Sequence, residues 1–237
     1  AALPGCGHEH GMGVTAQALH LSGVRTTTGN VLMTASLYTR TTYATGDPAA
    51  IDETLGALRA EAVDLLSAQR GYRGFGLFAD RQVGKIMMGS WWESEQARQD
   101  SDEQLRDRRA ALLAPFAGTV TTDNWEAAAL VPPGAAGQGN GFRMTRFDFD
   151  PGRVDQVIET VRDRVLPGLQ QVNGFVTGAL FVNRAGGRGS VGAIFTDLAA
   201  SRGPQAALRA RGVADAGVTL RSLEEFEVVL LDRPAQT

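Results

Sequence analysis

An internal repeat limits the fold of this 237-residue chain more than any other feature of its sequence. The segment GYRGFGLF, which begins at Gly71, returns as GFVTGALF at Gly174, an offset of 103 residues. The same offset, without a gap, relates further pairs of identical residues: Asp47-Pro48 and Asp150-Pro151, Asp52 and Asp155, Arg59 and Arg162, Leu66 and Leu169, Arg81 and Arg184, Gly84 and Gly187, and Gly89 and Gly192. The chain therefore contains two copies of one structural unit in tandem.

The two copies have the same order of predicted elements. In each, an alternating strand leads to an Asp-Pro helix start, in which Asp is the N-cap and Pro the first helical residue. A hairpin with Gly84 or Gly187 in its turn follows, and then a second helix and a closing strand. The predicted ranges are 30–40 and 141–150 for the first strands, 95–113 and 202–211 for the second helices, and 124–131 and 226–232 for the closing strands. This βαββαβ order is that of the ferredoxin-like unit.

A ferredoxin-like sheet is covered by helices on one face only, so its other face needs a partner. Two copies in one chain supply that partner to each other. We therefore predict an α+β fold in which two tandem ferredoxin-like repeats pack sheet to sheet as a pseudo-symmetric dimeric α/β barrel. The predicted boundaries are an N-terminal extension (1–29), a first repeat (30–131), a Gly- and Pro-rich linker (132–140) and a second repeat (141–237).

The composition argues against several classes of protein. A formal net charge of −3 and a pI near 5.7 lack the basic footprint of a nucleic-acid-binding protein. No apolar stretch approaches the length of a membrane span, and the first residues lack the basic and apolar regions of a signal peptide. Cys6 is the single cysteine, so an intrachain disulfide is excluded, which fits a reducing compartment. We expect a cytoplasmic protein with no nucleic-acid or membrane partner.

Two adjacent tryptophans, Trp91 and Trp92, end a predicted strand of the first copy. Neighbouring strand residues point to opposite faces, so one tryptophan faces the helices and the other faces the interior between the sheets. A strand that ends in Trp-Glu-Ser and is followed by the helical segment EQARQDSD resembles the antibiotic biosynthesis monooxygenase superfamily of dimeric α/β barrels. The resemblance covers both copies, although the motif itself stands only in the first, because the second copy has IFTD there, with Phe195 at the place of Trp92.

Members of that superfamily bind flat aromatic ligands between the helices and the sheet. The tandem length is most similar to the angucycline ring-opening oxygenases of jadomycin, gilvocarcin and kinamycin type pathways. The resemblance implies an oxygenase of aromatic polyketide biosynthesis that adds O2 to an electron-rich polycyclic phenol or hydroquinone and opens a ring. It also implies a small aromatic polyketide ligand, no tightly bound cofactor, and O2 as cosubstrate, with reduced flavin as an optional second cosubstrate.

Other functions and assemblies stay open at this point. They are an anthrone-type quinone-forming monooxygenase, a non-catalytic ligand-binding or stress-response barrel, and a polyketide cyclase, which needs a base but no O2. A homodimer is open as well.

Two departures from superfamily patterns narrow these alternatives. The heme-degrading branch uses a histidine on the second helix as iron ligand, whereas the histidines of this chain are His8, His10 and His20, all before the first copy. Heme is therefore disfavoured. The anthrone branch has an asparagine beside the tryptophan on the same strand, where this chain has Met87 and Met88. The anthrone mechanism therefore does not transfer unchanged.

The candidate catalytic residues are Trp92, which would hold the substrate, Arg146, which would stabilise its anion, and His20, which would act as a base. Arg146 is predicted to form an inward-facing charge pair with Asp148. The substrate-binding candidates are aromatic, thioether and cationic side chains that suit an anionic ring system: Tyr38, Arg40, Tyr72, Phe78, Met88, Trp91 and Phe195. Core packing of the aromatic residues and a structural salt bridge for Arg146 remain alternative interpretations.

An insertion in the first copy also bears on the site. Matching Met33 with Met144 gives the first copy eight additional residues before its helix, which include Arg40 and Tyr43 and predict a lip or lid on one pocket only.

Cys6, His8 and His10 lie close together in a Gly-rich prefix. They have the residue types of metal ligands, but alternating histidines in such a terminus are a weak metal motif, so no metal site is predicted.

Overall fold

The computed structural model describes residues 25–27, 31–33, 37–132, 134–202 and 217–233. Two short strands, β1 (Arg25–Thr27) and β2 (Val31–Met33), precede the barrel. The barrel elements of the first repeat are β3 (Leu37–Gly46), α1 (Ile51–Ser67), β4 (Tyr72–Asp80), β5 (Lys85–Trp92), α2 (Glu95–Leu113) and β6 (Ala117–Leu130). The second repeat consists of β7 (Gly141–Asp148), α3 (Val154–Thr160), a π-helical turn (Val161–Val165), α4 (Leu166–Gln170), β8 (Phe175–Asn183), β9 (Arg188–Phe195), α5 (Leu198–Ser201) and β10 (Thr219–Asp232).

Eight of these strands close into an antiparallel barrel. The hydrogen-bonded order is β6-β3-β5-β4-β10-β7-β9-β8, and β8 pairs with β6 to complete the circle. The short strands β1 and β2 extend the sheet beside β6. The predicted α+β barrel of two ferredoxin-like repeats is confirmed.

The two closing strands join the repeats. β6 and β10 have 14 residues each. Most of β6 pairs with β3 of its own repeat, and its residues 126–130 pair with β8 of the other repeat. β10 likewise pairs with β7 and, from Glu227 onward, with β4. The sequence analysis located only the later half of each strand, because the earlier residues are largely exposed and lack an apolar alternation.

The two repeats share contacts at the 103-residue offset. Asp47 and Asp150 each cap the helical turn that follows, and a Pro occupies the first helical position in both. Gly84 and Gly187 have φ of 67° and 57°, and a Cβ on either would lie 2.3 Å from a backbone oxygen. Glycine is therefore required in both hairpin turns.

Two arginine clamps bridge the repeats. Each joins an acid in the first helix of its own repeat to an acid on the closing strand of the other. The contacts are Arg81 with Asp52 and Glu227, and Arg184 with Asp155 and Glu126. The closing strands are thus held by ion pairs as well as by backbone hydrogen bonds.

The apolar side chains form cores on both faces of the barrel wall. On the outer face, helices pack against the sheet around Trp92 in the first repeat and around Phe195 in the second. The interior holds a cluster to which both repeats contribute: Tyr43, Phe78, Met87, Phe142, Met144, Ile194, Phe226 and Val228. Trp91 packs in the interior beside Trp125. The opposite orientation of the adjacent tryptophans, predicted from strand alternation, is confirmed.

The predicted first strand at 30–40 and the eight-residue insertion are wrong. β3 runs from residue 37 to 46, so Arg40 and Tyr43 lie in a barrel strand and form no lid. Arg40 corresponds to Arg143, since each donates from Nη1 to the backbone oxygen 58 residues later. The offset of 103 residues therefore continues through the first strand, and the match of Met33 with Met144 was a coincidence.

The second helix of the second repeat begins earlier than predicted. α5 starts at Leu198, because Asp197 supplies the N-cap by accepting a hydrogen bond from the N–H of Ala200. Residues 203–211 of the predicted helix lie outside the described residues. In the part of the chain that is described, no helix has both the length and the apolar character needed to cross a membrane.

Candidate functional site

A cleft lies in the first repeat between α1, α2 and the outer face of the sheet. Its volume is about 50 Å³, which is room for a few water molecules. The floor consists of strand residues: Arg40, Thr42, Phe75, Met88 and Ser90. The walls consist of helical residues: Leu58, Ala62, Leu65 and Leu66 of α1, and Leu105, Arg108, Arg109 and Leu112 of α2.

Helical spacing explains which residues reach the cleft. On α1, positions 58, 62, 65 and 66 recur at intervals that place them on one face. On α2, Leu105, Arg109 and Leu112 recur in the same way. Ser94 fixes the start of α2, because its Oγ accepts a hydrogen bond from the N–H of Ala97.

Arg40 lies at the floor of the cleft and is buried. Its Nη1 donates to the backbone oxygen of Arg98 at 3.2 Å and to Oγ of Ser101 at 3.0 Å, both on α2. The pKa of Arg40 is lowered to about 10, chiefly by burial and next by the charge of Arg109, while Asp102 opposes the shift. Because this pKa remains well above neutral pH, the floor of the cleft carries a buried positive charge.

Asp102 is shared by two guanidinium groups. Its Oδ1 lies 3.4 Å from Nη1 of Arg40 and 2.7 Å from Nη2 of Arg109. Two buried nitrogen atoms of the cluster, Nη1 of Arg109 and Nε of Arg98, have no hydrogen-bond partner among the residues that the structure describes. An unpaired buried donor is costly, so these nitrogens favour an additional acceptor.

The other arginines of the cluster have partners nearer the surface. Arg108 contacts Glu61 of α1, with Nε and Oε2 3.0 Å apart, and Arg98 lies 3.4 Å from Glu95. Both acids reach solvent, with 38% of the Glu61 side chain and 60% of the Glu95 side chain accessible. Asp102, whose side chain is 30% exposed, is the least exposed of the three acids that contact the arginines.

The combination of an apolar wall and a buried cation is suited to a particular type of ligand. Phe75, Met88 and the leucines of both helices offer surface for a flat ring, and thioether and aromatic groups adapt well to such rings. Arg40 and Arg109 can bind an oxygen anion on the ring. The cleft has the chemistry to hold an anionic aromatic molecule.

The chain is similar in sequence to two proteins of Mycobacterium tuberculosis. No family model matches the chain. It is 30% identical over 197 residues to Rv2557, an uncharacterized protein of Mycobacterium tuberculosis, and the match covers 82% of this chain and 88% of the relative. The chain belongs to the Rv2557 family. It is also 29% identical over 201 residues to a second uncharacterized protein of that organism, Rv2558, with 82% of this chain and 84% of the relative covered.

Solved structures of low identity share the fold of this Rv2557-family protein. A provisionally assigned monooxygenase from Fusobacterium nucleatum superposes with a TM-score of 0.64 at 10% identity, covering 86% of this chain and 98% of that one. An anthrone oxidase-like protein superposes with a TM-score of 0.63 at 13% identity, covering 87% and 97%. At these identities the likeness establishes the barrel fold, and function has to be argued from the site.

Five of the residues predicted for the site lie on the helix-facing side of the first repeat. Arg40 and Met88 line the cleft. Trp92 is fully buried beneath it, and its Nε1 donates to Oγ of Ser90, a residue of the floor, at 3.0 Å. Tyr72 packs edge-on against Trp92 with ring centroids 5.9 Å apart, and Tyr38 packs at the margin of the same core. The structure therefore brings Trp92 and Arg40 together, with the guanidinium carbon 5.6 Å from the ring centroid.

Other predicted site residues lie elsewhere. Phe78 and Trp91 face the barrel interior, and Phe195 lies in the helix-facing core of the second repeat. His20 and the prefix residues Cys6, His8 and His10 lie outside the described residues. The role of His20 as a base therefore stays a prediction.

Arg146 lies on the interior side of the wall, so the barrel wall separates it from the cleft. Its guanidinium carbon stacks 3.8 Å from the ring centroid of Tyr43, and burial raises the pKa of that tyrosine. The predicted pair with Asp148 is wrong. Arg146 lies 3.4 Å from Glu224 on the neighbouring strand β10, whereas Asp148 lies 3.5 Å from Arg221. The antiparallel pairing of β7 with β10 places Glu224 opposite Met144, diagonal to Arg146 on the same face of the sheet.

Arg98, Asp102 and Arg109 of the site were not predicted from the sequence. A helical projection of α2 would have indicated them, since positions 98, 102, 105, 109 and 112 share one face and combine charged with apolar residues. No metal site was found in the described residues, where no group of three or more His, Cys, Asp and Glu side chains is close enough to hold an ion.

Proposed function

We propose that the protein is an oxygenase that adds O2 to an electron-rich aromatic anion bound in the cleft of the first repeat. The observation that carries this proposal is the buried Arg40, with Asp102 and Arg109, set against an apolar wall. The fold shared with an anthrone oxidase-like protein and with provisionally assigned monooxygenases supports it as an analogy. The finer proposal is a polycyclic phenol or hydroquinone of angucycline type, with opening of a ring.

The proposed chemistry requires little from the protein beyond binding and electrostatics. An aryloxide or carbanion can give one electron to O2, and recombination of the two radicals forms a C–O bond and a peroxide. Loss of water from a peroxide on a CH carbon gives a ketone, whereas cleavage of the adjacent C–C bond keeps both oxygen atoms in the product. Neither route needs a further reductant, since the substrate supplies the electrons. With a substrate already at the quinone level, reduced flavin would supply them.

The residues of the cleft have matching roles in this proposal. Arg40 and Arg109 would lower the pKa of a bound phenol and hold its oxygen anion. Trp92 would position the floor through Ser90 and Arg40 rather than contact the ring, because it is fully buried. A fused-ring ligand is larger than the present cleft, so α2 would move away from α1 when it binds.

Oxygen uptake tests the proposal. The purified protein would be mixed with a polycyclic hydroquinone or a matching hydroxyquinone, each with and without reduced flavin, and oxygen consumption would be followed with an oxygen electrode. The mass of the product would be measured by mass spectrometry. We expect uptake with a gain of oxygen atoms, and loss of this uptake in Arg40→Met. Binding of the same compounds without uptake beyond the protein-free rate would contradict an oxygenase and favour a ligand-binding barrel.

A further inference from the structure

We propose that the cleft selects aromatic ligands with a single negative charge and that Asp102 is the residue that sets this selection. The inference rests on the proposed function for the aromatic part of the ligand. The charge selection follows from the ion pairs of the cleft and would hold for any aromatic ligand, whether or not it reacts with O2.

The charges around the cleft do not balance. Among the described residues, four guanidinium groups line or adjoin it, those of Arg40, Arg98, Arg108 and Arg109. Three carboxylates contact them, those of Glu61, Glu95 and Asp102. One positive charge is left in excess, which one anionic group of a ligand can neutralise.

The position of Asp102 makes it the acid with which a ligand must share the arginines. It is the carboxylate that contacts both Arg40 and Arg109, the two cations at the inner part of the cleft. Its side chain is 30% exposed, less than those of Glu61 and Glu95, so its charge is screened less by solvent.

Among the described residues Nη1 of Arg109 has no acceptor, and a ligand oxygen can take it while Asp102 keeps its contact with Nη2, because both residues are on α2. Arg109 uses Nη2 for Asp102, and its Nη1 is buried without an acceptor. One ligand oxygen can take this donor. A second anionic group would have to compete with Asp102 for Arg40 and would be repelled by it, so we expect a dianion to bind less well than a monoanion.

The test compares three ligands with the same ring system but different charge: naphthol, which is neutral at neutral pH, naphthoate, a monoanion, and naphthalene dicarboxylate, a dianion. Dissociation constants would be measured by isothermal titration calorimetry at constant ionic strength. For the native protein we expect naphthoate to bind about tenfold more tightly than naphthol, as a charged hydrogen bond provides, and more tightly than the dianion. Equal affinity for naphthol and naphthoate, or no binding of either, would overturn the proposal without the use of any variant.

Asp102→Asn then tests which residue sets the selection. The substitution keeps the size of the side chain and removes its charge, so the dianion should gain about tenfold in affinity and move ahead of the monoanion. The matched control is Asp107→Asn, the same change at an exposed position of α2 for which the structure shows no ion pair. An equal gain in both variants would mean that net charge alone is responsible and would contradict a specific role for Asp102.

The two proposals can fail separately. Charge selection without oxygen uptake would remove the proposed oxygenase and leave the selection intact. Oxygen uptake by the protein with neutral and with dianionic ligands, bound at equal affinity, would contradict the charge selection and leave the proposed oxygenase intact.

Discussion

The two repeats have the same scaffold but different side chains at the positions that form the cleft of the first repeat. Both bury an arginine on the first strand, Arg40 or Arg143, whose Nη1 donates to a backbone oxygen of the second helix. Both use glycine at the hairpin turn and an arginine clamp to the other repeat. These contacts hold strands and helices in place and are needed wherever the fold is needed, which explains why they recur.

The pockets differ in the residues that could meet a ligand. In the first repeat, Nε1 of Trp92 donates to Oγ of Ser90 on the floor of the cleft, whereas the second repeat has Phe195 and Ala193, which cannot form this hydrogen bond. Arg40 and Thr42 of the first floor recur as Arg143 and Thr145. Phe75 of the first floor corresponds to Gly178. The first floor therefore has an aromatic ring and a serine hydroxyl that the second lacks, which is why the proposed ligand site is assigned to the first repeat.

The first helices differ as well. α1 is continuous, whereas its counterpart is divided into α3, a π-helical turn and α4. Pro167 stands just after the π turn, and proline has no N–H to give to the carbonyl of the preceding turn. The regular α1 presents one straight face to its cleft, and the interrupted helix cannot present the same face to the second repeat.

The largest effect is expected from removal of the central aromatic residue of either helix-facing core. Trp92 and Phe195 are both fully buried, so Trp92→Ala and Phe195→Ala should each lower the free energy of unfolding by about 3–5 kcal/mol in urea denaturation. Only Trp92→Ala should also weaken binding of naphthoate, because Trp92 supports Ser90 and Arg40. If Phe195→Ala weakened binding equally, the assignment of the ligand site to the first repeat would be wrong. Trp92→Phe, which keeps most of the volume, is the control that isolates loss of the indole N–H.

The next effect separates the two buried arginines. Arg40→Met and Arg143→Met each leave a helix carbonyl without its donor, so both should lower the free energy of unfolding by about 1–3 kcal/mol. Arg40→Met should in addition weaken naphthoate binding about tenfold to a hundredfold, and Arg143→Met should leave it unchanged. The measurements are the melting temperature and the dissociation constant of each variant. A loss of affinity in Arg143→Met at unchanged affinity in Arg40→Met would assign the pocket to the second repeat.

The comparison also shows what the sequence could and could not predict. The offset that relates Gly71 to Gly174 was enough to predict the barrel, because two sheets that are each covered by helices on one face can bury their open faces against each other. The same offset, extended one strand further, relates Arg40 to Arg143, and the mistaken match of Met33 with Met144 concealed it. The alternation of side chains along a strand correctly predicted that Trp91 and Trp92 point to opposite faces of the sheet.

Contacts between strands and helices that are distant in the chain could not be predicted from the sequence. Arg146 was expected to pair with Asp148, but its acid, Glu224, comes from a strand 78 residues away and is brought near by antiparallel pairing. Arg40 reaches Asp102 only because α2 crosses the outer face of β3. Local periodicity indicates which face a residue is on, and the topology decides which residues it meets there.

The smallest effect tests whether the scaffold is as symmetric as its contacts suggest. Arg184 binds Glu126 with two parallel hydrogen bonds of 2.8 and 3.1 Å, whereas Arg81 makes single bonds to Asp52 and Glu227. A bidentate pair is better ordered, but every one of these side chains is at least about a third exposed, so Arg184→Met should cost about 1 kcal/mol and Arg81→Met about half as much. Both losses should shrink in high salt, which urea denaturation at two salt concentrations would show.

The clamp variants also act as a control on the difference between the pockets, because each clamp joins both repeats. Disturbing either clamp should therefore leave naphthoate affinity unchanged while stability falls slightly. If Arg81→Met alone weakened binding, the cleft would depend on how β10 of the second repeat is held against β4, and the second repeat would have a part in ligand binding beyond packing. If neither variant changed affinity, the difference between the repeats would be confined to the side chains that line the cleft of the first.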